Sequence, residues 1–207
     1  MFFQVFAIAT LVSLVGTIPP ATINISVMQL SITGKKKMAV GLSWGAAIID
    51  LIYTYLSLQI HHYLNTHSEF TNYFQLVSAS ILFFLGLASL YQTRKSAQVE
   101  LRRFRIQSGF LRGVLLGLFN PLVMPFWLVT TTYLTSQGWI DLAGINEWSF
   151  LAGVFLGEIL LLLVIVRVGS KFTKVADNVW IVYIVPGLAF MVLGMYSLYE
   201  WASYYLN

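Results

Sequence analysis

The chain has 207 residues, of which 58% are hydrophobic and 10% are charged, with a formal net charge of +4 and no cysteine. A soluble domain of this size cannot bury so much apolar surface, and several stretches exceed about 18 uncharged residues, so the composition indicates a polytopic membrane protein. The lack of cysteine excludes disulfides, thiol chemistry and iron–sulfur clusters. The N-terminal Met1–Gln4 lacks the basic residues of a signal peptide, and we interpret the first segment as a retained span.

The first predicted span covers Phe2–Thr33 and contains a break. Two consecutive prolines within it remove two backbone donors and clash with carbonyl groups one turn earlier, so a continuous helix cannot pass. In hydrocarbon, a broken helix is tolerated only where protein or a water-filled cavity satisfies the released backbone groups. The sequence therefore predicts a helix break here whose backbone groups are satisfied by protein or by a water-filled cavity. The residues of this predicted break are Gly16, Thr17, Pro19 and Pro20.

Five further spans follow from hydropathy, and the charges between them predict an orientation. All twelve lysines and arginines lie in or beside the loops after the first, third and fifth spans, whereas the loops Ile60–Phe70 and Ser136–Glu147 have none. By the positive-inside rule the basic loops are cytoplasmic and both termini are extracytoplasmic. The basic residues are then topological signals, and we predict no nucleic-acid partner. The spans are Met38–Ile60, Asn72–Tyr91, Gly109–Leu134, Trp148–Val168 and Asn178–Tyr199.

The fourth span is interrupted like the first. Asn120 followed by Pro121 is typical of a helix N-cap with proline at the first helical position, and Pro125 belongs to the same predicted break. A single proline break is more often a structural kink, but interrupted helices in corresponding halves mark the binding sites of many transporters. Half-helix N-termini offer backbone N–H groups and partial positive charge to an anion such as a carboxylate.

The chain also repeats itself at an offset of 108 residues. Leu85–Tyr91 resembles Leu193–Tyr199, and Gly45 corresponds to Gly153 at the same offset. Because each copy has three spans, the second copy must lie upside down relative to the first. We predict an all-α polytopic membrane protein with six transmembrane helices, arranged as two inverted three-helix repeats with broken helices 1 and 4. The predicted divisions are 1–91 for the first repeat, 92–108 for a basic cytoplasmic loop and 109–207 for the second repeat.

Asp50 and Glu158 are the acids deep within the predicted spans, and they are equivalent at the offset of 108 residues. Insertion of such a charge costs about 2.5–3.5 kcal/mol, so these groups usually face a polar interior and act there. We predict that one acid couples transport to a cation, with H⁺ as the favoured ion, while the other binds substrate or completes a proton relay. Together with the half-helix amides they suit a zwitterionic amino acid. The candidate substrate-binding or ion-coupling residues are Asp50, Glu158, Asn24 and Asn120.

Other candidates are weaker. His61 and His62, with His67 and Glu69 in the predicted outer loop, do not have the spacing of a standard metal motif, so we predict no metal site and no cofactor. The sequence contains no hydrolase or nucleotide-binding motif, and we predict a protein that is not an enzyme. Small-xxx-small motifs such as Gly41–Gly45 favour close helix packing. The sequence does not show whether these motifs face another copy of the chain, so a homo-oligomer stays an open alternative.

Several of these features together resemble the lysine exporter (LysE/RhtB) family. They are the Gly-x-x-Pro-Pro break, the loop Gly34–Lys37, and Gly41–Gly45 leading to Asp50. Gly117–Pro121 leading to Phe126-Trp127 is similar to that family's second signature. The first break departs from the family pattern, since Ile18-Pro19-Pro20 stands where Pro-Gly-Pro is usual.

The resemblance implies export of amino acids or related metabolites, driven by an ion gradient. The expected partners are therefore a small-molecule substrate and the lipid bilayer, with alternating access at a midplane site. Two alternatives remain at this level. One is an exporter of divalent metal cations, in which Asp50, Glu158 and the outer histidines would be ligands. The other is a non-transporting membrane assembly subunit, in which the two acids would be dispensable.

Overall fold

The computed structural model describes residues 1–17, 22–66, 107–120, 123–176 and 184–206, together with scattered residues between 76 and 91. Seven helices have described bounds, and this part of the chain contains no strand. The helices are α1 (Phe2–Thr17), α2 (Thr22–Ile32), α3 (Lys36–Thr66), α4 (Gly109–Leu118), α5 (Val123–Ser136), α6 (Ile145–Ala176) and α7 (Val185–Leu206).

Local chemistry sets two of the helix ends. Gly34 has a φ of 76°, its N–H donates to Ser31 O at 3.1 Å, and the N–H of Lys35 donates to Leu30 O at 2.8 Å. This pair of bonds is a Schellman motif, which uses glycine because a side chain disfavours positive φ. The second of these ends is the N-terminus of α4, which begins after Ser108. The side chain of Ser108 accepts from the N–H of Leu111 at 3.4 Å. Both ends adjoin basic residues of the predicted cytoplasmic side.

Two helices are long and apolar enough to cross a membrane, α3 over Lys36–Leu64 and α6 over Ile145–Gly169. The pair α1 and α2 is bent by 74°, and the pair α4 and α5 by 65°. Counting each bent pair as one span gives four spans in the described residues. Both predicted interruptions therefore occur, while half of the residues of the predicted third span lie outside the described part of the chain and the predicted sixth span overlaps α7.

Helix α3 continues beyond its predicted end at Ile60 and stops at Thr66. His61 and His62 therefore lie on the last turns of a helix and not in an outer loop. The hydropathy pattern could not show this, because polar residues at the end of a span are compatible with either a loop or a helix that rises from the membrane.

Helix α6 packs alongside α1 and α2 in the same direction. Three serine hydroxyls join them by donating to backbone carbonyls on the other segment. The bonds are Ser149 Oγ to Phe2 O at 2.7 Å, Ser13 Oγ to Val154 O at 2.8 Å, and Ser31 Oγ to Val166 O at 2.5 Å. Residue numbers rise together on both sides, so the two segments run parallel. Such hydroxyl bonds are a common means of joining helices where there is no hydrophobic drive to do so.

Helices α3 and α4 also run parallel, in contact through glycines. Gly109, Gly113 and Gly117 of α4 lie against Met38, Leu42 and Ile49 of α3, respectively. A Cβ on Gly117 would lie 2.8 Å from Cβ of Ile49, closer than real side chains approach. The small residues therefore set the interhelical distance, as their spacing in the sequence predicts.

The described residues of the predicted third span pack against α7 in the opposite direction. A Cβ on Gly86 would lie 2.7 Å from the carbonyl oxygen of Gly187, and a Cβ on Gly194 would lie 3.0 Å from that of Ala79. Numbers fall on one segment as they rise on the other, so this pair is antiparallel.

The buried core consists of two apolar clusters at different levels. One includes Phe150 and Val154 of α6 with Leu58 of α3. The other includes Leu162 of α6 and Leu42 of α3. Along both helices, the level between the clusters is occupied by the two intramembrane acids.

Candidate functional site

Asp50 of α3 and Glu158 of α6 lie side by side. Their carboxyl groups are within hydrogen-bonding reach of each other. Glu158 is only 5% exposed, and Asp50 is partly buried. Two charged carboxylates within hydrogen-bonding reach of each other, between apolar clusters, would repel strongly. Sharing one proton removes that repulsion, so the contact favours a proton held by the pair.

Trp127 of α5 completes the surroundings of Asp50. Its indole Nε1–H donates to Asp50 Oδ1 at 3.4 Å, and the side chain is 2% exposed. The ring is held edge to face by Phe126 and Phe150, with ring centroids 5.0 and 5.6 Å away. Sequence reasoning noted Trp127 only as part of a family signature. The signal that could have found it is that a buried indole needs an acceptor for its N–H.

Glu158 differs from Asp50 in its hydrogen bonding. Its Oε2 atom is buried and has no hydrogen-bond partner among the described residues. Leaving a buried polar atom unpaired costs about 1–3 kcal/mol, so such atoms call for an explanation. This oxygen is therefore available to a proton or to a cationic group of a ligand.

Asn24 joins the two sides of the first break. Its Nδ2 donates to Thr17 O at 2.5 Å, and Thr17 Oγ1 donates back to Ser13 O at 2.8 Å. The last carbonyls of α1 have no partner within the helix, and Asn24 satisfies one of them. Asn24 is 6% exposed, so it holds the break together from within the protein. Pro19 and Pro20 themselves lie outside the described residues.

The second break is held in a similar manner. Tyr53 Oη donates to Leu118 O at 2.9 Å, and Ser57 Oγ donates to Met124 O at 3.1 Å, so α3 supports both sides. The N–H of Asn120 donates to Gly117 O at 3.0 Å and closes α4. Pro121 lies outside the described residues, so the role of Asn120 as an N-cap stays a prediction.

Pro125 has a position different from the one expected for a break. It lies in the first turn of α5, which begins at Val123. In a first turn the backbone N–H has no partner within the helix, so proline there costs no hydrogen bond. Pro125 thus starts the second half-helix and does not interrupt it.

The end of α1 lies close to the aromatic residues beside the carboxyl pair. A Cβ on Gly16 would lie 2.7 Å from Cζ of Phe126, so the end of α1 packs directly on the ring next to Trp127. Trp127 in turn donates to Asp50, and Asp50 is within hydrogen-bonding reach of Glu158. No sequence pattern showed this contact between α1 and α5.

A second polar group lies at the predicted outer end. His61 is 4% exposed and contacts Thr132 and Thr135 of α5. Glu147 of α6 accepts from Gln59 Nε2 at 2.7 Å and lies 3.8 Å from His62 Nε2. His67 and Glu69 lie outside the described residues. Within those residues, no group of three or more histidines and acids is placed to hold a metal ion.

Comparison with known proteins gives one finding. Residues 14–201 match the family described as LysE type translocator. That range includes both breaks, both acids and most of the chain. The sequence matches no curated protein and no solved structure.

Proposed function

The chain belongs to the LysE type translocator family, and on this basis we propose that it exports amino acids or related small metabolites across the bacterial cytoplasmic membrane. Membership confirms the family resemblance and makes the protein a membrane-embedded translocator of a small molecule. The coupling, the mechanism and the chemistry of the substrate are the parts that we propose.

The observation that carries the proposal is the buried contact between Asp50 and Glu158. A carboxyl pair that holds a proton in apolar surroundings can release it when water reaches it and recover it from the other side, as proton relays in transporters do. Asp50 is held by the indole of Trp127, whereas Oε2 of Glu158 has no partner among the described residues. We assign to Glu158 the exchange of a proton for a cationic group of the substrate, and to Asp50 the support of that exchange.

The other end of the substrate would meet the breaks. The backbone N–H groups at the start of a half-helix are unpaired within it and carry partial positive charge. The predicted half-helix starts after Pro19-Pro20 and after Pro121 would therefore bind a carboxylate. A substrate with an ammonium group bound at Glu158 and a carboxylate bound at the breaks is an amino acid.

An inverted repeat of six spans is the architecture that we propose around this site. At the offset of 108 residues, the contact of Gly86 with Gly187 becomes the contact of Gly194 with Ala79, and both occur. This reciprocity is what a two-fold axis between the halves produces. The parallel and antiparallel packing of the helices likewise agrees with spans that alternate in direction. Rocking of one half against the other would open the site alternately to each side.

The test is transport into inside-out membrane vesicles from cells that produce the protein, with a panel of amino acids and divalent metals, with and without a proton gradient. We expect uptake of one or more amino acids that collapses when the gradient is removed. Uptake of a metal alone would favour the metal-exporter alternative, and no uptake of anything would favour the assembly subunit.

The same vesicles test the carboxyl pair through Asp50→Asn and Glu158→Gln, which keep shape but cannot release a proton. At least one should reduce gradient-driven uptake to the level of vesicles without the protein. Glu147→Gln is the matched control, because Glu147 is on the same helix as Glu158 but at the outer surface. Full uptake by the double variant Asp50→Asn/Glu158→Gln would contradict the proposed role of the carboxyl pair in transport.

A further inference from the structure

His61 occupies an unusual position for a residue that can change charge near neutral pH. It lies on α3 directly before His62, which contacts Glu147 near the surface, yet the side chain of His61 is only 4% exposed. Its Nδ1 lies 3.2 Å from Thr132 Oγ1, and its Nε2 lies 3.4 Å from Thr135 Oγ1. Both ring nitrogens therefore have a hydroxyl partner on α5.

Hydroxyl partners differ from the partners that fix a histidine in one state. A carbonyl can only accept, and would hold the ring nitrogen beside it in the N–H form. A threonine hydroxyl both donates and accepts, so it can partner a ring nitrogen with or without its proton. Thr135 Oγ1 also lies 2.8 Å from Thr131 O, and by donating there it keeps lone pairs to accept from the imidazole. The ring can thus be neutral or protonated without losing its contacts.

A stripe of polar side chains connects His61 with the carboxyl pair. Asp50, Thr54, Ser57 and His61 are spaced by four, three and four residues, which places them on one face of α3. Eleven residues of helix correspond to about 16 Å. Thr54 and Ser57 are fully buried, and Thr131 of the neighbouring helix α5 is fully buried as well. Their hydroxyls donate to backbone carbonyls, so their oxygens remain able to accept from water that enters between α3 and α5.

At its other side the stripe reaches the surface. Thr132 is exposed, whereas the imidazole that it contacts is buried. His61 is therefore the point at which a buried polar path from the acids meets an exposed group near the outer end. Intramembrane histidines in such positions are typical of proton relays.

Few other titratable groups could take this part. Helices α1 and α2 have no titratable side chain, and α4 contributes only Arg112, at the opposite end. Tyr133 of α5 is 46% exposed and points away from the core. The described helices that pack on α3 contain the titratable residues Arg112, Tyr133, Glu147, Glu158, Arg167, Lys171 and Lys174, and α3 itself contains Lys36, Lys37, Asp50, Tyr53, Tyr55, His62 and Tyr63; His67 and Glu69 follow α3 outside the described residues.

We propose that His61 is the relay through which protons reach the Asp50–Glu158 pair from the extracytoplasmic side. One ring nitrogen gains a proton from outer water while the other releases one toward the stripe, so the imidazole returns to neutral and the pair gains the proton. His61 touches no substrate in this scheme. The inference rests on the proposed function and adds to it a residue that is needed only when protons move.

Two modes of transport separate a relay from a structural residue. Proteoliposomes are loaded with an equimolar, isotope-labelled mixture of the twenty ordinary L-amino acids. Net efflux is driven by an acidic exterior, whereas exchange is measured with the same unlabelled mixture outside and no pH difference. Exchange needs no net proton movement, so it reports folding and binding alone.

For His61→Gln we expect net efflux to fall by about tenfold or more, within the range that a positioned proton-transfer group contributes. Exchange should stay within about twofold of wild type, because glutamine keeps hydrogen bonds to both threonines. His62→Gln is the matched control and should leave both modes unchanged. Equal loss of efflux and exchange in His61→Gln would show a structural residue, and undiminished efflux would show no role; either overturns the relay alone. Absence of gradient-driven efflux in wild type would overturn the proposed function and the relay with it.

Discussion

Trp127 shows how a single hydrogen bond can matter at the centre of this protein. Its indole N–H is the described side-chain donor to Asp50, and its ring is fixed by two phenylalanines. Trp127→Phe removes the donor and keeps the edge-to-face packing. We expect a loss of about 1–3 kcal/mol at this contact, visible as a roughly tenfold decrease in gradient-driven transport with little change in thermal stability.

The control for this change is Trp44→Phe on α3, whose ring is 44% exposed and contacts Phe155. It should transport like the wild type. If both variants lose transport equally, the effect belongs to aromatic packing and not to the bond with Asp50.

The residues of the site were not equally predictable. Asp50 and Glu158 could be found from sequence, because an acid in a hydrophobic run is costly and two at one offset are rarer still. Trp127 and His61 could not, because their roles depend on which residues of α3 and α5 face each other. Asn24 was identified as polar near a break, but its bond to Thr17 across that break needed the angle between α1 and α2.

At the scale of helices, the interface between α3 and α4 depends on glycine. A Cβ on Gly113 would overlap the backbone of Leu42 and lie 2.9 Å from the N atom of Ala46. Because helix backbones cannot shift as a flexible side chain can, Gly113→Val should destabilise the protein by several kcal/mol, about 3 or more. Thermal unfolding in detergent would measure it.

Leu111→Val is the control on the same helix, since Leu111 is 49% exposed. Its effect should be within about 0.5 kcal/mol, as for most surface substitutions. An equally mild effect of Gly113→Val would mean that α3 and α4 are not in close contact.

The breaks can be tested as carboxylate sites at the same scale. Pro121→Ala restores a backbone donor and removes a clash, whereas Asn120→Ala removes a predicted cap worth about 0.5–2 kcal/mol. If the backbone N–H groups at the breaks bind a carboxylate, each variant should lose far more affinity for an amino acid than for its decarboxylated amine. Binding to detergent-purified protein measures this, with Pro19→Ala and Pro20→Ala as the matching pair in the first half. Equal losses for acid and amine in all four variants would leave the breaks as structural kinks.

The bent helices themselves were predictable, because consecutive prolines and Asn-Pro leave a helix no way to continue. The length of α3 and the start of α5 were less so. His61 and His62 are polar enough for a loop, and only the structure, in which α3 runs to Thr66, shows that the helix continues. The sequence pattern assigns Pro125 to the same break as Pro121, although Pro125 lies in the first turn of α5, where a proline costs no hydrogen bond.

For the molecule as a whole, orientation is the prediction with the simplest test. The basic loops should face the cytoplasm, so a cysteine at Lys36 or Arg103 should resist a membrane-impermeant thiol reagent in intact cells. The chain has no cysteine of its own, so each introduced thiol is unique. Gln137→Cys, in the opposite loop, should be labelled from outside and serves as the control. Labelling at Lys36 from outside would show that the six-span orientation is wrong.

The serine bonds between α1, α2 and α6 have a consequence for biogenesis. Their partners are separated by 135 to 147 residues in the chain. At a synthesis rate of about 5–20 residues per second, the hydroxyls of Ser13 and Ser31 must wait roughly 7–28 s after insertion before Val154 and Val166 emerge from the ribosome. During that interval the interhelical hydrogen-bond partners of these side chains have not yet been inserted into the lipid. Either half translated alone should therefore be degraded, while co-expression of 1–91 with 92–207 should rescue both fragments.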